Sequence, residues 1–338
     1  MKHKKYKLRF IRNIAICVFA LLIVARLLDV MPGFKRDKTE GITNLVIGDE
    51  DITEELVNNV WIDENDVVYI SYEDVKNLFD DSIIYDENYK QIITTSRTKV
   101  ATLKLDDNNM VINDTTKNIL GKLIRKEGML YLPISDMELV YNIEVDYIPE
   151  TDIVTIDEID KKLTRATIAK NTSVKSKMRA FSQTLEELKT GEQISYYKDS
   201  TNGWIKIRTK TGIVGYIKNS IITNEYVVRQ EIDRETESKL ISDNEINGWL
   251  KIKEENFKED MLNDYEARVQ SINTIVSFIL SENPKGIIIY SNSKSESFVR
   301  FMTEITPRLR EIGVSVALKS DDVNKTKSLK NIVDYIVK

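Results

Sequence analysis

Apolar and polar positions change rhythm several times along this chain, and each rhythm predicts a different kind of element. Residues 14–25 are uninterruptedly apolar, and the run continues to Val30 past Arg26, so residues 10–30 give about the length a bilayer core requires. The basic residues Lys2, Lys4, Lys5, Lys7, Arg9 and Arg12 precede or flank that run, which predicts that their side stays in the cytoplasm. A cleaved signal peptide is the competing reading, but no small-x-small cleavage site follows Ala25. Either reading exports the rest of the chain.

From residue 45 to 160 the pattern repeats at an offset of 62. "YISYEDVKNLFDDSIIYDENYKQIITT" from Tyr69 lies over "YLPISDMELVYNIEVDYIPETDIVTID" from Tyr131, pairing Tyr69 with Tyr131, Asp74 with Asp136 and Tyr85 with Tyr147. Each copy reads strand, short helix, strand, turn, strand, with Ser135 or Asp136 placed to cap the second helix. Neither copy can bury its apolar face alone, so the two are expected to pack as one α+β domain.

Residues 164–224 alternate in polarity over "QISYY", "WIKIRT" and "VGYIK", with turn signals at Thr190-Gly191, Asn202-Gly203 and Thr211-Gly212. Short strands at that spacing predict a small antiparallel barrel. Tyr196, Tyr197, Trp204 and Tyr216 are the candidate ligand-groove residues, and for Trp204 a role anchoring the barrel core stands beside the groove role.

The last segment, residues 240–338, changes to a parallel-sheet rhythm. Val269, Ile272, Val276 and Ile279 fall on one helical face, with Asn263 or Asp264 as cap; "GIIIY" reads as a buried parallel strand; a helix follows from about Ser297 to Glu311 with Pro307 inside it; then comes the strand "GVSVALK". That order implies right-handed βαβ crossovers.

Composition narrows the chemistry. The one cysteine, Cys17, and the one histidine, His3, both precede the folded modules, which excludes Ser-His-Asp and Cys-His catalysis and a Cys/His zinc site after residue 17. No cofactor and no metal is expected; Asp80, Asp81, Asp106 and Asp107 read as solvated surface, since the spacing of a calcium loop is missing. Seven Lys/Arg against Asp29 in residues 1–30 leave 42 basic and 53 acidic residues elsewhere, a net of −11 that disfavours nucleic acid as a partner. Residues 164–224 reverse the sign, with eleven basic and four acidic residues. That charge favours an anionic polymer or an acidic protein partner.

Three family resemblances attach to these patterns. The repeated module, through "YLPISDMELVYNIEVDYIPETDIVTID", resembles the amino-terminal stalk domain of copper amine oxidases, which is not where copper binds in that family. "LKTGEQI" and "NGWIKIRTKTGIVGYI" resemble bacterial SH3-like domains, which implies peptidoglycan peptides as ligands or a spacing role. "DYEARVQSINTIV" and "FMTEITPRLREIGVSVAL" resemble the helices and strand around the catalytic strand of family-18 glycoside hydrolases. That strand carries two carboxylates of known use, a final Glu that protonates the leaving oxygen and an Asp that orients the acetamide. Over the family's polar positions this chain places Lys285, Ile288, Tyr290 and Asn292, while Gly286 and the apolar Ile287 and Ile289 match. Asn292 has no proton to give, and Glu296 lies four residues further on. A complete (β/α)₈ barrel takes ~250 residues, more than twice the length of chain beyond residue 224.

The expected fold is therefore multidomain α+β: a cytoplasmic basic tail at 1–9, a transmembrane anchor at 10–30, the stalk at 45–160, the SH3-like barrel at 164–224 and an incomplete (β/α) unit at 240–338. The expected function is a single-pass, cell-wall-associated binding or scaffold protein with a catalytically degenerate carboxy terminus, partnered by membrane and by peptidoglycan or another anionic wall polymer. A working amino-sugar hydrolase, or the shortened product of one, is the alternative.

Overall fold

The computed structural model describes residues 41–232, 238–291, 295–321 and 327–337. Among them are 25 strands in five sheets and four α-helices, so the described chain is dominated by β-structure, and the expectation of an α+β chain led by a transmembrane helix is corrected. The anchor expected at 10–30 falls outside the described residues. Among the described residues no helix is long and apolar enough to cross a membrane. No described element carries the single-pass placement, and that expectation is set aside.

The described residues separate into two compact units that are not contiguous in sequence, one taking 41–60 and 143–232, the other 61–142 and the described residues from 238 to 337. In the second unit, the first repeat copy forms the strand Val68–Ser71, helix α1 (Tyr72–Leu78) and the paired strands Ile84–Asp86 and Gln91–Thr95. Ser71 caps α1 by accepting from the Asp74 N–H at 3.2 Å while its own hydroxyl donates to Asp74 at 2.5 Å. The equivalent helix of the second copy shrinks to the 3₁₀ turn Asp136–Leu139, for a local reason. Ser135 Oγ accepts instead from Val68 N–H at 3.1 Å, and the Asp136 carboxylate accepts from Leu120 and Gly121 N–H at 3.1 and 2.8 Å. At the repeat offset the capping Ser71 is replaced by Pro133, which has no hydroxyl to cap with, and Ser135 and Asp136 serve distant backbone.

The leading strands of the two copies pair antiparallel, with Ile70 directly opposite its own repeat equivalent, Leu132. Only this part of the second copy lies in the same unit; its strands 143–148 and 153–158 belong to the first unit, so the two copies do not form one domain. Asp80, read from sequence as surface, is buried: its carboxylate accepts from Ser82 N–H and Oγ, Thr94 Oγ1 and Thr95 N–H between 2.5 and 3.0 Å.

The same unit holds a five-stranded all-parallel sheet in the order 239–241, 335–337, 315–319, 286–290, 250–253. Its helices are α2 (Glu259–Asn263), α3 (Tyr265–Glu282) and α4 (Glu296–Glu311). Asp264 caps α3 by accepting from Ala267 N–H at 2.8 Å, and Ser295 caps α4. Ile287, Ile289, Val316 and Leu318 share a core with Ile272, Ile279, Phe298, Phe301 and Leu309 of α3 and α4. Strand residues of the other parity, Ile288, Ala317 and Val337, form a separate cluster with Ile246, against which Trp249, Tyr290 and Tyr335 pack.

In the first unit, a four-stranded sheet runs 143–148, 153–158, 44–47, 50–51, with Asn44–Ile47 parallel to Ile153–Ile156. A seven-stranded antiparallel sheet runs 184–188, 172–175, 214–218, 204–209, 193–196, 163–168, 222–229. Its core is Ala166, Ile168, Val174, Leu188, Ile194, Tyr196, Ile205, Ile207 and Ile217.

Candidate functional site

Strand parity decides what each nominated aromatic of the antiparallel sheet does. Ile205 and Ile207 face the core, so Trp204, Lys206 and Arg208 face outward; Ile217 faces the core, so Tyr216 and Lys218 face outward with them. Tyr216 stands opposite Lys206 on one neighbour and Lys175 on the other, which puts Lys175, Tyr216 and Lys206 in one row across three strands. Directly opposed side chains stand about 4.5–5.5 Å apart at Cβ. In the next row Lys218 Nζ lies 4.2 Å from the centroid of Trp204, whose ring is thereby covered on its outer side. Trp204 is positioned by the turn before it. Asn202 and Gly203 take φ of 52° and 73°, and Thr201 and Trp204 exchange backbone bonds at 2.7 and 2.9 Å.

The other two nominated tyrosines are committed elsewhere. Tyr196 is buried among the core residues, with its hydroxyl donating to Glu225 at 2.5 Å. Burial, then the Glu225 carboxylate, pushes its phenol up to about 12. Tyr197 faces outward into a buried ionic cluster. Its hydroxyl donates to Asp157 at 2.5 Å, and Arg208 grips the same carboxylate through both terminal nitrogens, at 2.8 and 2.6 Å. Arg208 also donates to the Gly48 carbonyl at 3.0 Å, and Arg229 approaches Asp157 at 3.5 Å and Glu144 at 3.4 Å. Burial holds the Tyr197 phenol well above its ordinary range. Of the four aromatics, Trp204 and Tyr216 thus share one face with Lys175, Lys206 and Lys218, while Tyr196 and Tyr197 serve the framework. Lys206 also reaches Asp49 at 4.0 Å, so one edge of this face meets an acidic neighbour.

The second candidate is a cleft of about 700 Å³ at the carboxyl ends of the parallel strands, the end at which open α/β sheets bind ligands. Lys253, Tyr290 and Lys319 line it from three adjacent strand ends, with Glu254, Glu255, Glu259 and Asp321 around them. Ser291 Oγ donates to Glu254 at 2.7 Å, Glu255 accepts from Lys253 at 2.9 Å, and Lys319 pairs with Asp243. The four positions the sequence compares with a catalytic strand are distributed unevenly. Lys285 is exposed ahead of the strand, Ile288 is fully buried against Ala317 and Val337, Tyr290 reaches the cleft, and Asn292 lies outside the described residues. Glu296 is exposed at the start of α4. Among the described residues no cluster of three or more His, Cys, Asp or Glu has the arrangement of a metal site. Sequence reasoning passed over Glu254 and the strand Leu250–Lys253 that carries the chain to it; the only signal was the weak run "INGWLKI".

No family model matches the chain, and no curated protein matches it. Two solved structures show limited similarity, NlpC2 and NlpC1 from Trichomonas vaginalis, at 6% and 9% identity and a TM-score of 0.18 each. Each alignment covers 47% of this chain and 56% and 54% of those chains respectively, so the chain spans about half of either. At that score they carry no argument about fold or function.

Proposed function

We propose that this chain is a noncatalytic binding or scaffold protein that engages an anionic cell-wall polymer through the outer face of its SH3-like β module, and that its carboxy-terminal parallel sheet is a degenerate relative of family-18 glycoside hydrolases. The observation that carries the reading is the row Lys175, Tyr216, Lys206 beside the Trp204–Lys218 pair. The half-buried Tyr216 ring offers apolar contact for a sugar or peptide, the buried Trp204 supports Lys218 beneath its ammonium group, and the lysines supply charge attraction to phosphate or carboxylate along a polymer. The excess of basic residues in 164–224, within an otherwise acidic chain, gives that attraction a direction.

The noncatalytic half of the reading rests on the amide of Asn292 and the phenol of Tyr290, where the resemblance calls for a Glu and an Asp. General acid help alone is worth ~10²- to 10⁴-fold. Co-sedimentation of the full chain with peptidoglycan sacculi, with and without their attached anionic polymer, tests the proposal. Retention that depends on the anionic polymer, with no reducing sugar released, is the expected result; release of reducing ends at a sustained rate sinks the noncatalytic reading, and absence of retention sinks the binding one.

A further inference from the structure

In the first unit, the outward face of the seven-stranded sheet and the strand Ile143–Ile148 line a polar pocket of about 370 Å³, within the size range of small-molecule sites. Its floor follows one register row. Arg165 stands directly opposite Ser195, and Ser195 directly opposite Arg208. The core-facing neighbours Ala166, Ile194 and Ile207 put all three on the same outer face. Arg208 is spent on Asp157 and the Gly48 carbonyl, as described above. Exposed charges elsewhere in this unit also find partners, Lys162 at Asp199 and Lys198 at Glu50. Three charged residues lining the pocket differ: Arg165, Lys210 and Asp146 are exposed, and none makes a side-chain hydrogen bond or ion pair among the described residues. The Ser195 hydroxyl is likewise uncommitted there.

The free groups of the pocket are thus two cations and a hydroxyl on one side of the account and one carboxylate on the other. A guanidinium, an ammonium and a hydroxyl together offer donors for several oxygens of one tetrahedral phosphate, whereas a ligand carboxylate is filled by the fork of a single arginine. Asp146 repels a simple phosphate dianion and attracts an ammonium group, so a ligand that answers all three charges carries both signs. We propose that this pocket binds a zwitterionic phosphate ester, an aminoalkyl phosphate whose phosphate is held by Arg165, Lys210 and Ser195 and whose ammonium group faces Asp146. The inference goes beyond the polymer-binding face, since the pocket shares none of Lys175, Trp204, Lys206, Tyr216 and Lys218.

Calorimetric titration of the full chain with phosphoethanolamine tests it, with glycerol phosphate and alanine as comparisons. The expected result is saturable binding of phosphoethanolamine, several-fold tighter than glycerol phosphate, which lacks the ammonium group, and than alanine, which lacks the phosphate. Arg165→Gln and Lys210→Gln should each weaken both phosphate esters about tenfold, the loss of one hydrogen bond to a charged group. Asp146→Asn should retain phosphate binding and erase the preference for phosphoethanolamine over glycerol phosphate. All three substituted residues are exposed, so unchanged unfolding midpoints confirm that the variants are folded. The Lys175→Glu, Tyr216→Ala variant should bind phosphoethanolamine as the wild type does, which separates this pocket from the polymer-binding face. Displacement of the bound ester by phosphatidylethanolamine vesicles places the ligand on a lipid headgroup, and displacement by soluble esters alone makes it a free solute; either result sustains the pocket. Absence of saturable binding, unchanged affinity in Arg165→Gln and Lys210→Gln, a preference that survives Asp146→Asn, or alanine binding as tightly as phosphoethanolamine overturns the assignment.

Discussion

Replacing Asp157 with alanine is expected to destabilise the first unit severely, because three groups converge on that carboxylate out of contact with water. Asp157 and Arg208 are 8% and 9% exposed and share two bonds at 2.8 and 2.6 Å, with the Tyr197 hydroxyl at 2.5 Å as a third. Removing one partner of a buried pair leaves an uncompensated charge and costs ~3–5 kcal/mol. That is a large share of the ~5–15 kcal/mol that holds a domain folded. Removing both charges is different in kind: Asp157→Leu with Arg208→Met takes away the closest ion pair and leaves Arg229 its Glu144 partner at 3.4 Å, and replacing a buried pair in this way is often neutral. The double variant should therefore be more stable than Asp157→Ala alone. Of the three tryptophans, Trp204 is the one within the first unit, so urea unfolding followed by fluorescence in a Trp61→Phe, Trp249→Phe chain reports on this unit. The expected result is a lower midpoint for Asp157→Ala at unchanged slope, recovered in the double variant. A shift below about 0.5 kcal/mol for Asp157→Ala, the range of ordinary surface substitutions, would refute the argument, and with it the assignment of Tyr197 to the framework.

Further outcomes are expected from other parts of the fold. Gly286→Ala sets a methyl 2.5 Å from the Trp249 ring, and overpacking of that kind costs ~1–3 kcal/mol, read as a lower unfolding midpoint. Arg268 is fully buried and donates to Glu304 at 3.0 Å and to the Leu262 carbonyl at 2.9 Å; Arg268→Met leaves Glu304 with Arg300 alone, at 3.3 Å, and should cost ~1–3 kcal/mol, read in thermal unfolding. Tyr196 keeps its proton more tightly folded, at about 12, than the ordinary 10.0. Its contribution is thus complete below about pH 10 and lost as pH rises towards 12, and Tyr196→Phe should flatten the alkaline fall in stability measured by urea unfolding.

Local signals in the sequence carried the helical part of this fold. Asp264 caps α3 and the second helix runs to Glu311 as the apolar spacing predicts, because caps and one-sided burial act within a few residues. The second repeat copy resisted the same reasoning: Ser135 and Asp136 have cap chemistry, but they spend it on backbone 67 and 15 to 16 residues away, which no local pattern records. Parity in "QISYY" places Tyr196 inside and Tyr197 outside once Ile194 is inside, and that much is legible. That Tyr197's outer face is occupied by Asp157 depends on strand pairing across the chain, and so does the row Arg165, Ser195, Arg208, which register alone brings together.

The polymer-binding claim is tested most directly by titrating the full chain, and the Lys175→Glu, Tyr216→Ala variant, with soluble anionic wall-polymer fragments at low and high salt. The account predicts binding by the wild type that weakens as salt screens it, and loss of that binding in a variant whose unfolding midpoint is unchanged. Equal affinity of the two proteins, or affinity indifferent to salt, would contradict it.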